Sequence, residues 1–90
     1  MIAFPIIVAL SIHNLKIEPQ FFEQVLSGKK SFEIRKNDRD YKSGDAVVLN
    51  EYDPTSKEIF LMRFSGRMVQ ATIGFITDYK QKNNYVVFSL

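Results

Sequence analysis

The chain has no cysteine, a single histidine, three prolines and four glycines in 90 residues. Without cysteine there is no disulfide framework, no thiol nucleophile and no zinc-ribbon pattern. One histidine leaves no conventional catalytic zinc site and no two-histidine chemistry. The scarcity of Gly and Pro, with 46% hydrophobic and 24% charged residues, excludes collagen-like, low-complexity and disordered chains. Charge of one sign is also scarce: twelve basic residues against ten acidic ones give a formal net charge of +2. That is too weak to argue for nucleic acid by itself. No phosphate-cradling glycine loop, paired catalytic carboxylates or Ser–His arrangement stands out.

What is present is a single domain over residues 1–90, with no linker and no internal repeat. Residues 1–12, MIAFPIIVALSI, form the longest apolar run. A membrane span needs about 20 such residues, so no membrane association is expected. No Lys or Arg precedes the run, which argues against a secretory leader and for a cytoplasmic protein. Residues 6–12 read as a buried or partner-covered strand with Pro5 near its start, and a second copy of the chain is one candidate cover. Residues 14–17 alternate as a strand. Pro19 suits the first turn of a helix whose apolar face is Phe21, Phe22, Val25 and Leu26, and Gly28 caps its end. Strands are then expected over 31–36, 45–52, 59–64, 68–79 and 85–90. One short helix after the first strand and five or six short strands predict a mostly β, α+β domain: a small barrel plugged at one end by the helix.

The charge is unevenly spread. Residues 28–42 hold six basic and three acidic side chains, and the remainder holds six basic and seven acidic ones. Within that window, Ser31-Phe32-Glu33-Ile34-Arg35-Lys36 alternates. Period two places Glu33 and Arg35 on one face and Phe32 and Ile34, expected in the core, on the other. Lys30 sits where the helix hands over to the strand, so Lys30, Glu33 and Arg35 can line one groove. Arg offers a planar fork to phosphate or a base edge, and Glu can accept from a base amino group. The alternative is a charge ladder that only solvates the sheet. His13 reads as a packing or capping residue, Gly44-Asp45 as a tight turn, and Gly66-Arg67 as a turn with a solvated arginine. Tyr41 and Tyr52, in polar surroundings, are the aromatics placed to stack on a base.

These residues resemble a known family. His13-Asn14-Leu15-Lys16-Ile17, then Pro19 and Phe21-Phe22, then Gly28-x-Lys30-x-x-Glu33-x-Arg35-Lys36-Asn37-Asp38-Arg39, Gly44-Asp45, Leu49-x-Glu51-Tyr52 and Ser65-Gly66-Arg67 are similar to the DUF3850 family. That family is a branch of the ASCH (activating signal cointegrator homology) domains of the PUA-like superfamily. The likeness runs over residues 13–90 and leaves 1–12 as an apolar extension. It implies a PUA-like β-barrel with a cleft beside the helix, occurrence in bacterial and phage proteins, and a role in binding RNA or a nucleotide. The cleft residues it implies are Lys30, Glu33 and Arg35, extended by Lys36, Asn37, Asp38 and Arg39, with Arg67 from the later Ser-Gly-Arg element. Some ASCH relatives hydrolyse acetylated cytidine with a Lys, a Thr and a Glu. Here Lys30 matches the Lys, but Glu33 stands where the Thr is expected, and Ser31 is a weak substitute two residues earlier. Lys30 and Glu33 are thus the candidate catalytic pair of an alternative, hydrolytic reading, and the residues lean away from an enzyme. No cofactor or metal is implied. The expected partner is RNA or a nucleotide, with a homodimer through residues 1–12 as a second possibility.

Overall fold

The computed structural model describes residues 11–90. Strand β1 (Ile12–Ile17) leads into the one α-helix among them, α1 (Pro19–Leu26). Strands β2 (Phe32–Lys36) and β3 (Ala46–Tyr52) follow, then a 3-10 turn (Phe60–Arg63), β4 (Phe64–Thr72), the two-residue β5 (Ile76–Thr77) and β6 (Tyr85–Ser89). Most of the strand expected over 6–12, and the dimer contact expected of residues 1–12, lie outside the described residues.

The strands form two three-stranded sheets, ordered β1-β3-β4 and β2-β6-β5. β1 runs parallel to β3, while β3–β4, β2–β6 and β5–β6 are antiparallel. A parallel pair needs a long crossover, and α1 with β2 lies along it. The barrel expectation is therefore corrected. The two sheets share no strand, and both stay open, which makes this a small α+β fold that is mostly β. Closure would require both edge strands of one sheet, β2 and β5, to pair with both edge strands of the other, β1 and β4. Alternation along a strand says which face it buries, not which neighbour it pairs with.

Between the sheets lies a core of Leu15, Ile17, Phe22, Tyr41, Val47, Leu49, Ile73, Val86 and Phe88. β3 is central to its sheet, and its Val47 and Leu49 are fully enclosed. β1 contributes alternate residues inward: His13, Leu15 and Ile17. On α1 the buried residue is Phe22, whereas Phe21 and Leu26 are exposed. Pro19 stands in the first turn, where its missing N–H costs nothing. At the other end Gly28 takes a positive φ of 79°, and the Lys30 N–H closes back on the Gln24 carbonyl at 3.0 Å. That return fixes where Lys30 enters β2.

Several local expectations change. The strand expected over 68–79 is broken: β4 runs Phe64–Thr72, with Gly66-Arg67, expected as a turn, inside it, and β5 is only Ile76–Thr77. Residues 59–64 are not a strand: Phe60–Arg63 form a 3-10 turn, held where the Arg63 side chain donates to the Glu58 carbonyl at 2.9 Å. Tyr41 is buried and edge-on to the His13 ring, 4.7 Å between centroids, so it is not placed to stack on a base. The remaining change concerns β2 and decides the site.

Candidate functional site

Phe32 and Ile34 point outward, 45% and 52% exposed, while Glu33 is buried at 3%. The expectation that the two apolar residues face the core is thus inverted. Register explains it: Glu33 pairs with Phe88 and Arg35 with Val86 across β2–β6. Directly paired residues share a sheet face, and Val86 and Phe88 both belong to the core. The alternation of β2 has to follow that of β6, so its charged face turns inward.

A buried carboxylate must be paired and hydrogen-bonded to be tolerated. Glu33 meets that requirement with both oxygens. Lys30 Nζ donates to Oε1 at 2.5 Å, and Arg35 Nε donates to Oε2 at 2.8 Å. Arg35 Nη2 also donates to the main-chain carbonyl of Lys16 at 2.8 Å, tying β2 to the end of β1. Among the described residues no buried side-chain polar atom lacks a partner. The Lys30 ammonium lies 5.3 Å from the Phe21 ring centroid and 5.6 Å from that of Phe32. Around this clamp is an open cleft of about 280 Å³, walled by Lys16, Ile17, Glu18 and Phe21 on one side and by Lys30, Glu33, Ile34 and Arg35 on the other. The clamp carries a formal charge of +1, two cations against one carboxylate. The cleft thus offers part-exposed cationic groups beside an aromatic ring.

The other sequence candidates lie elsewhere. Lys36, Asn37, Asp38 and Arg39 are exposed beyond the inward-facing part of β2. Asn37 accepts the Tyr41 N–H at 3.3 Å and helps line a separate polar hollow with Asp78, Lys82 and Tyr85. Arg67 packs its guanidinium 4.6 Å from the Phe22 centroid and pairs with Glu23 at 2.5 Å and Glu51 at 3.7 Å. It lines a second cleft of about 290 Å³ with Asn50, Glu51, Phe64 and Gly66. Lys30, Glu33 and Arg35 therefore form one group, and Arg67 belongs to another cavity. The other five cleft residues were not marked by the sequence, and two of them carry chemistry. Lys16 read only as the polar position of an alternating strand, and Phe21 as part of the apolar helix face.

A second buried polar pair joins β1 to the residue that precedes β3. His13 Nε2 lies 2.8 Å from Asp45 Oδ2, and an ionised carboxylate accepts, so this nitrogen carries the proton. The Lys42 N–H donates to the same oxygen at 3.0 Å. The hydrogen bond from His13, ahead of the opposing effect of burial, holds the Asp45 carboxyl below its ordinary value. Burial pushes the neighbouring Tyr41 phenol up. The sequence marked Gly44-Asp45 as a turn, with no sign that Asp45 reaches a histidine 32 residues away. This pair bonds within the core and serves packing. Among the described residues no three His, Asp or Glu side chains are grouped to hold a metal ion, and no helix is long and apolar enough to cross a membrane.

Comparison with known proteins bears on this geometry. The family described as a domain of unknown function, DUF3850, matches residues 12–90. Over 67 residues the chain is 40% identical to an uncharacterised 12.9 kDa protein in the GpA 3′ region of Escherichia phage P2. The aligned part covers 74% of this chain and 55% of that protein, so the chain spans about half the length of the curated relative it matches. The chain belongs to the DUF3850 family.

Proposed function

We propose that this DUF3850 domain is an RNA-binding module that holds a nucleotide in the Lys30–Glu33–Arg35 cleft. The observation that carries the reading is the clamp itself. Glu33 orients two cationic side chains at the mouth of a cleft whose wall includes an aromatic ring. Lys30 and Arg35 remain part-exposed while Glu33 is enclosed, so their outer edges face an incoming phosphate. Phe21 lies beside them to meet a sugar or base. The resemblance of the G-x-K-x-x-E-x-R element to ASCH domains supports the same reading. Hydrolysis is the less favoured reading, because Glu33 stands where the hydrolytic ASCH relatives carry a Thr.

The test is RNA affinity at two salt concentrations for the native chain and for Arg35→Lys, Arg35→Ala and Lys30→Ala. Binding should fall as salt rises, because phosphate contacts release counterions. Arg35→Ala should cost roughly 1–3 kcal/mol if its fork meets a base. Arg35→Lys keeps the charge but loses the fork, and should fall between native and alanine. Affinity unchanged when Arg35→Ala and Lys30→Ala are combined, in a protein still folded by circular dichroism, removes the proposal.

A further inference from the structure

Lys16 belongs to two places at once. Its main chain accepts from Arg35 in the cleft, and its ammonium stands 5.0 Å from the Tyr52 ring centroid and 5.5 Å from that of Phe60. Those rings belong to a cluster that the cleft does not use. Phe60 meets Phe64 edge to face at 5.5 Å, and Tyr52 packs 4.9 Å from Phe64 and 5.8 Å from Phe60. Tyr52 and Phe64 are half-buried, whereas Phe60 is 52% exposed. The inner rings therefore fix the plane of an outer one that solvent reaches. Arg63, on the same 3-10 turn, directs Nη1 at the Tyr52 hydroxyl from 3.5 Å. A part-exposed aromatic ring flanked by a lysine and an arginine is complementary to one base and its phosphate.

We infer that the Tyr52–Phe60–Phe64 cluster, joined to the cleft by Lys16, is a stacking shelf for a second nucleotide, so that the ligand is single-stranded RNA. The inference rests on the RNA reading of the cleft and extends it. A base in a duplex has both faces occupied by its neighbours, and only an unstacked base can lie on a protein ring. The shelf therefore selects single strands over duplexes, with little preference among bases, since every base has a π-face. Ile59, Leu61 and Met62 on the same turn are also exposed, and an apolar protein contact here would use them as readily as Phe60. The two occupants differ in what they need. A protein contact needs apolar bulk, whereas a base needs an aromatic plane.

The experiment compares two probes, adenosine monophosphate and a four-nucleotide oligoadenylate, on the full chain by calorimetry at fixed salt. Phe60→Leu keeps the bulk and removes the plane, and Phe60→Trp keeps both. Phe60→Leu should weaken the tetranucleotide by about 5- to 150-fold and leave the mononucleotide unchanged, while Phe60→Trp binds as the native chain does. Lys16→Gln should weaken the tetranucleotide more than the mononucleotide. Tetranucleotide binding that Arg35→Ala weakens but Phe60→Leu does not would overturn the shelf and leave the cleft standing. Binding indifferent to Arg35→Ala, or absent from the native chain, would overturn both. A 16-base-pair duplex binding as tightly as the single strand would overturn the shelf as well.

Discussion

Glu33→Ala removes the carboxylate from between Lys30 and Arg35 and leaves two cations facing each other at the wall of the core. The Glu33 side chain is only 4% exposed, and its two contacts measure 2.5 and 2.8 Å. Removing one partner of a buried ion pair costs about 3–5 kcal/mol, mostly because the other charge is left uncompensated. Here Lys30 and Arg35 retain 18% and 24% of their side-chain exposure, so water reaches them and relieves part of that cost. The expected loss is therefore about 2–4 kcal/mol. A domain of this size has roughly 5–13 kcal/mol in total, so the variant stays folded but is visibly weakened. At about 4–8 °C per kcal/mol, the Tm falls by about 8–32 °C. Glu33→Gln keeps the shape and one acceptor and should lose about half as much. Urea unfolding followed by circular dichroism reads both, with the denaturant slope unchanged if only the native state is affected. Adding Arg35→Ala to Glu33→Ala should cost less than the two separate losses combined, since the pair is coupled. A Glu33→Ala loss within about 0.5 kcal/mol of zero is what an exposed surface position gives, and would refute the buried clamp.

Three further predictions concern Asp45, Tyr41 and Gly74. Hydrogen bonding to His13 depresses the Asp45 carboxyl. Its contribution to stability is therefore present above its unfolded value of about 3.9 and is lost as pH falls through the lower folded value. Asp45→Asn should lower the urea midpoint at pH 7 and flatten the acid limb of the stability profile, and an unchanged acid limb would count against the pair. Burial raises the Tyr41 phenol, so the opposite sign applies: its contribution is intact below pH 10 and declines as pH rises through the higher folded value. Tyr41→Phe should remove that alkaline decline in the same titration. A Cβ on Gly74 would lie 2.7 Å from Ser89 Oγ, which itself accepts the Phe75 N–H at 2.7 Å. Gly74→Ala should cost about 1–3 kcal/mol by thermal unfolding, and Ser89→Ala in the same chain should recover part of it.

Much of this arrangement could be read along the chain, and the rest depended on pairing. Pro19 and Gly28 bracket the helix because each fills a backbone role at a helix end, and the helix runs Pro19–Leu26 between them. Period two places Glu33 and Arg35 together, and they touch. It does not say which face is inner. Hydrophobicity alone favours Phe32 and Ile34 inside, and the register against Val86 and Phe88, more than 50 residues away, turns them out. The open sheets have the same origin, since strand order is set by contacts distant in sequence. Residues 59–64 are apolar enough for a strand, yet Phe60–Arg63 form a 3-10 turn, with Phe60 from the turn and Phe64 from the start of β4 packed on Tyr52. Arg67 read as a solvated turn residue. Its place over Phe22 depends on β4 pairing with β3, with no local signal.

The proposed function requires RNA to enter the cleft beside α1. Its most direct test is a titration of isotope-labelled protein with a short mixed-sequence RNA at two salt concentrations, followed through backbone amide shifts. Salt-sensitive shifts centred on Lys16, Phe21 and residues 30–35 are expected, with the buried His13–Asp45 pair unmoved. A spectrum that stays silent at low salt, or shifts confined to the hollow around Asp78 and Lys82, would contradict it.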